Sequence, residues 1–124
     1  MGNFILIDDD QTNIFIMDWT IKSVLPMASI KCFINPIEAL SFLSEPLNNS
    51  DSIIFIDINM PEMTGWELLD KIKAKKLHCR IFMLTSSIDP KEIEVSNNYS
   101  EVENVFSKPL TVDHLNQILK APKS

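Results

Sequence analysis

Basic residues are in deficit in this 124-residue chain: 11 Lys and Arg stand against 17 Asp and Glu, a formal net charge of −6. Attraction to nucleic acid and to anionic membrane draws most of its strength from Lys and Arg, so the balance opposes both and favours a protein or a cationic ligand as partner. Cysteine is scarce as well. Cys32 and Cys79 are too few for a disulfide framework and lack the C-x-x-C spacing of a zinc or redox site. Both adjoin predicted strands, where the expected role is that of a small buried thiol. At the N-terminus there is no basic stretch followed by a long apolar run, and strand-like sequence starts by Asn3. Leu6 stands where myristoylation after Met1-Gly2 requires Ser or Thr. A cytoplasmic protein without membrane insertion is expected. No internal repeat, low-complexity tract or linker divides the chain, and a hydrophobic content of 45% suits one compact domain over residues 1–124.

What is present is a regular alternation of short apolar runs with longer segments of helical periodicity. The runs Phe4 to Ile7, Ile30 to Phe33, Ile53 to Ile56, Ile81 to Leu84 and Asn104 to Phe106 read as strands. Alternation of this kind implies an α/β fold, with a parallel sheet covered by helices on both faces. Helix starts carry capping chemistry, in which a side-chain oxygen satisfies a backbone N–H that the first turn leaves unpaired. Asn35-Pro36-Ile37-Glu38 and Asp89-Pro90-Lys91-Glu92 each join an N-cap, a proline at the first helical position and an acid three residues on. Thr64-Gly65-Trp66-Glu67 fits a capping box for a third helix with Leu68, Leu69 and Ile72 on its apolar face; Asp10 and Thr111 cap the first and last. The polar stretch from Ser96 to Glu103 either closes the fourth helix or forms a loop.

Chemistry gathers at the strand ends. In an open α/β sheet, ligands collect at the carboxyl edge where strand order reverses. Asp8-Asp9-Asp10 follows the first strand and Asp57 the third, so neighbouring central strands bring these acids together. Two like charges about 4 Å apart repel by about 4 kcal/mol at an effective dielectric of 20, a penalty that a hard divalent cation removes. A Mg²⁺ site is the inference. Taken alone, the acidic triplet is equally a solvated turn and helix cap; Asp57 at an equivalent strand end favours the metal. Thr85 and Lys108 follow the fourth and fifth strands and would offer a hydroxyl and an ammonium to phosphoryl oxygens at the same edge. Pro109 excludes helical geometry at Lys108 and permits a cis peptide.

The order Asp8-Asp9, then Asp57-x-Asn-Met-Pro-x-Met-x-Gly65, then Thr85, then Lys108-Pro109 resembles the receiver domain of two-component response regulators, over essentially the whole chain. The resemblance implies a doubly wound five-stranded parallel sheet, flavodoxin-like (βα)5, with strand order 2-1-3-4-5. It implies Asp57 as phosphoacceptor. Asp8, Asp9, Asp57 and the backbone carbonyl of Asn59 would hold Mg²⁺, with Thr85 and Lys108 on the phosphoryl group. The phosphodonor would be a sensor histidine kinase or a histidine phosphotransfer domain. Output would pass through contacts with a further protein, from a monomer or a weak phosphorylation-dependent dimer. Such a domain catalyses only its own phosphorylation and dephosphorylation and is otherwise not an enzyme. The residues two positions after the acceptor and two after the threonine, which tune hydrolysis in the family, are here Asn59 and Ser87.

The chain departs from the family pattern on the signalling side. Where the family carries a rotating aromatic, three positions before the lysine, this chain has Val105; Phe106 follows and should face the other side of its strand. Ser86 replaces a small apolar residue, and polar Ser100 to Asn104 replaces the usual Gly-Ala pair. On the first helix Ile14, Met17, Ile21 and Val24 have core spacing, while Phe15 and Trp19 form an adjoining stripe. That stripe is either half-buried beside the fifth helix or a contact for the phosphodonor, and Trp66 has the same two readings. His78 and His114 are expected at the surface. Competing readings are a pseudo-receiver that binds partners without phosphorylation, a Mg²⁺-dependent phosphohydrolase and a flavin domain. Retained Asp9, Asp57, Thr85 and Lys108 oppose the first. Asn59 cannot serve as the second's general acid, and three aspartates after the first strand would repel a flavin phosphate.

Overall fold

The computed structural model describes residues 2–45, 51–73 and 79–120. Strands and helices alternate as β1 (Asn3–Ile7), α1 (Gln11–Val24), β2 (Ser29–Phe33), α2 (Pro36–Leu43), β3 (Ser52–Asp57), α3 (Gly65–Lys73), β4 (Arg80–Thr85), α4 (Pro90–Ser96), β5 (Val102–Ser107) and α5 (Val112–Lys120). The strands form one parallel sheet in the order β2-β1-β3-β4-β5. Strand order reverses between β1 and β3, whose register pairs Ile7 with Ile56 and therefore sets Asp8 beside Asp57 at the carboxyl edge.

Period-2 alternation divides the core between the two faces of the sheet. Ile5 and Ile7, Ile54 and Ile56, Ile81 and Met83, and Val105 pack with Ala39 and Leu43 of α2 and Leu68, Leu69 and Ile72 of α3. Their neighbours Phe4 and Leu6, Ile53 and Phe55, Phe82 and Leu84, and Phe106 pack with Met17 and Ile21 of α1 and Leu115 and Ile118 of α5. Val105 and Phe106 thus face opposite sides, as the sequence predicts. Along the second face Phe4, Phe55, Phe82 and Phe106 form a row with centroids 6.4, 5.7 and 5.8 Å apart.

The expected caps are in place. Asp10 accepts from the Thr12 and Asn13 N–H groups, Asn35 from Ile37 and Asp89 from Lys91. Thr64 and Glu67 exchange hydrogen bonds of 2.9 and 3.1 Å. Thr111 is paired in the same way with His114, whose Nδ1 accepts from the Thr111 N–H at 3.2 Å. His114 is therefore not a free surface group: it is half-buried, its ring stacks on Phe106 at 4.5 Å, and burial lowers its pKa. His78 lies outside the described residues.

One expectation about burial is corrected and one open reading is narrowed. Cys32 is exposed rather than buried, because β2 is an edge strand that pairs only with β1 and covers little of either face; Cys79 is half-buried. Phe15 and Trp19 are 73% and 71% exposed, so α5 does not cover that stripe. Trp66 is half-buried and stacks on Tyr99 with centroids 5.0 Å apart. The segment before β5 both closes α4, which Asn97 caps, and turns through Tyr99 into the strand.

Candidate functional site

Asp57 is the last residue of β3, a strand buried along its whole length, and is itself 1% exposed. Three carboxylates converge there: Asp8, Asp9 and Asp57 each offer an oxygen within 4.8 Å of the others. Asp8 is buried and Asp9 exposed, giving the cluster one wall in the core and one open to solvent. Lys108, just after β5, reaches past the end of β4 to the ends of β3 and β1, with Nζ 2.9 Å from Asp8 Oδ2 and 3.2 Å from Asp57 Oδ1. Its reach starts from a backbone tied to β4, since its N–H donates to Thr85 O at 2.8 Å; its bond to Pro109 is cis.

One ammonium does not balance this many acids. Burial, and next the charge of Asp8, push the Asp57 carboxyl up to about 7, against the pull of Lys108 and the Asn59 N–H. For Lys108, burial opposes the charge, but the hydrogen bonds and charges of Asp8 and Asp57 outweigh it and hold the ammonium above its ordinary range. Asp57 Oδ1 accepts from the Asn59 N–H at 3.2 Å, whereas Oδ2 is buried with no hydrogen-bond partner among the described residues. A buried carboxylate oxygen without a partner is costly, and a cation is what relieves it. The donor set is all oxygen and rich in charge, which fits a hard divalent ion such as Mg²⁺ rather than a thiophilic metal.

The structure brings Asp8, Asp9, Asp57 and Lys108 together as the sequence predicts, and it places Asn59 in the loop directly after β3. Thr85 stands at the end of β4, 2% exposed, in register with Ser107. Its hydroxyl is engaged locally, donating to Ser87 O at 3.0 Å and accepting from the Ser87 N–H at 3.4 Å. Gly65 closes the site from behind. An added Cβ there would lie 2.5 Å from the Asp57 carbonyl oxygen and 3.0 Å from Ile58 Cα. The residue that sequence reasoning missed is Asn13, 5% exposed, whose Nδ2 donates to Asp8 Oδ2 at 2.6 Å. The sequence offers only a weak signal for it, a polar residue four before Met17 on the core stripe of α1, which by itself reads as an interruption of that stripe.

A flavodoxin-like α/β domain, with acids at its reversal point and a lysine reaching them, defines a class of protein that gathers charge at one sheet edge. The chain belongs to the response regulator receiver domain family of two-component signalling, whose model matches residues 4–120. It is similar to a two-component response regulator from Cytophaga hutchinsonii, with 32% identity, a TM-score of 0.86, and coverage of 95% of this chain and 93% of that one. The fold is also that of chemotaxis protein CheY4 of Vibrio cholerae, with a TM-score of 0.79, 20% identity and 97% of each chain covered. Hybrid signal transduction histidine kinase L of Dictyostelium discoideum is 23% identical over 124 residues, which are 97% of this chain and 7% of that protein. The curated relatives it matches are longer, and the chain spans 7%, 38% and 11% of three of them. Among the described residues no helix is long and apolar enough to cross a membrane.

Proposed function

We propose that Asp57 accepts a phosphoryl group from a phosphohistidine on a sensor histidine kinase or phosphotransfer domain, and that the modified protein signals by protein contacts. The observation that carries this reading is Asp57 Oδ2: a buried carboxylate oxygen with no hydrogen-bond partner among the described residues, at the end of a central strand, amid two acids and a lysine. In the step, an Asp57 oxygen attacks phosphorus, the new P–O bond forms as the P–N bond breaks, and the imidazole leaves with the electron pair. Asp8, Asp9, Asp57 and the backbone carbonyl of Asn59 would hold Mg²⁺, which when bound offsets the negative charge of the phosphoryl oxygens. Lys108, already within reach of Asp57, balances the charge on the other side. Thr85 is placed to hydrogen-bond the phosphoryl group once its hydroxyl releases Ser87. Phe15 and Trp19, exposed on α1, are suited to contact the phosphodonor. The acidic charge favours protein partners over nucleic acid. We read residues 1–124 as one domain whose only catalysis is of its own phosphorylation and dephosphorylation.

Incubation with Mg²⁺ and acetyl phosphate, followed by intact mass, tests the reading. Wild type is expected to gain one phosphoryl group and Asp57→Asn none. No gain in wild type sinks the acceptor chemistry and favours a binding-only adaptor; a gain retained in Asp57→Asn moves the acceptor to another residue.

A further inference from the structure

Asn13 places a neutral polar side chain on the buried side of α1, one helical turn before the fully buried Met17. Its amide nitrogen serves two neighbours, donating to Asp8 Oδ2 at 2.6 Å and lying 3.2 Å from Met17 Sδ. Those contacts also fix which way the amide faces, because its oxygen in the same place would meet a carboxylate oxygen and repel it. Asp8 is thereby held by three donors. The Asp10 N–H reaches Oδ1 at 2.9 Å, while Asn13 and Lys108, at 2.6 and 2.9 Å, both reach Oδ2. The two donors on Oδ2 differ in kind. Lys108 divides its ammonium between Asp8 and Asp57, and its positive charge competes with any cation for the same carboxylates. Asn13 is uncharged, buried and directed at Asp8 alone among the acids, so it orients the carboxylate without subtracting from its charge.

We infer that Asn13 is a positioning residue for divalent-cation binding: a neutral donor that holds Asp8 in the orientation keeping one of its oxygens within 4.8 Å of those of Asp9 and Asp57. The inference rests on the Mg²⁺-dependent reading of the site given above. Outer partners that orient metal-ligating carboxylates typically contribute about 10–100-fold to metal affinity. Asn13 acts through Asp8 and need not touch substrate or metal.

Asn13→Leu tests this, since leucine keeps the branch at Cγ that asparagine has and removes the donor. Binding is read directly, by the electron paramagnetic resonance of free Mn²⁺ displaced by Mg²⁺, alongside the thermal midpoint of the metal-free protein. The expected result is an increase of about 10-fold or more in both dissociation constants, with stability lost at most in part. Unchanged affinity beside a lowered midpoint means that Asn13 only packs, and overturns the inference; tighter binding means that the amide competes with the metal, and overturns it too. Wild type lacking saturable Mn²⁺ binding overturns the metal reading itself, an outcome distinct from either. Should Asn13→Leu fail to fold, Asn13→Ala, which adds no bulk, is measured in the same way.

Discussion

Asp57 carries a charge that the fold works against, and this gives the protein a pH dependence whose sign can be worked out. The carboxyl titrates at about 7 in the folded state against an ordinary value of 3.8, so between those values the folded protein binds more protons than the unfolded chain. Stability from this residue is therefore fully present below about pH 4 and is lost as pH rises through about 7. Asp57→Asn removes the charge and leaves Lys108 its ion pair with Asp8. Without Mg²⁺ at pH 8 the variant is expected to be more stable than wild type by about 2 kcal/mol, or on the order of 5–10 °C in thermal midpoint. The gap should narrow at pH 5 and on saturation of wild type with Mg²⁺; a gap independent of pH would place its origin elsewhere than in the Asp57 charge. At this scale the site was legible wherever a residue ends a strand, because strand ends are visible as the place where an apolar run stops. Asn13 was not, since a buried amide on a helix resembles an interruption of the apolar stripe until the carboxylate it meets is seen.

The junction between β3 and α3 is where one element's geometry sets the site's. Gly65 begins α3 with its N–H donating to Ile58 O at 2.8 Å, and the helix backbone passes so close to the end of β3 that a side chain has no room. The two nearest obstacles to a Cβ include the Asp57 carbonyl at 2.5 Å, which is backbone and cannot swing aside. Gly65→Ala is expected to lose about 1–3 kcal/mol in denaturant unfolding, and to slow phosphorylation of Asp57 by acetyl phosphate even where the variant is fully folded. Normal stability with a normal rate would mean that the loop gives way without cost. Elements were legible because caps and prolines mark helix starts locally, and the five runs of strand residues needed no tertiary information. Cys32 was misread and Trp19 left between two readings for the opposite reason. Their exposure depends on β2 lying at the sheet edge and on how far α5 extends over α1, and neither is written in the local sequence.

Across the whole molecule, the sheet separates a face of α1 and α5 from a face that joins α2 and α3 to the segment before β5. The parallel sheet with helices on both faces was legible from the alternation of strands and helices, whereas the strand order came from the resemblance to the receiver family. The aromatic content of the α3 face was not legible, because Trp66 and Tyr99 are distant in sequence and the family's aromatic position holds Val105. In the fold these two rings stack at 5.0 Å, and the Tyr99 hydroxyl donates to Asp70 Oδ1 at 2.8 Å. Tyr99 also ties the end of α4 to the start of β5, donating its N–H to Ser96 O and accepting from the Val102 N–H. Contacts therefore run from Gly65, behind Asp57, to its chain neighbour Trp66 and through Tyr99 to the α4–β5 connection, on the face where Val105 brings no aromatic. In a Trp19→Phe background, phosphorylation is expected to shift the fluorescence of Trp66. Tyr99→Ala should abolish or reverse that shift while leaving phosphoryl incorporation by intact mass unchanged. An identical shift in Tyr99→Ala would mean that the stack packs the face without conveying the state of Asp57 across it.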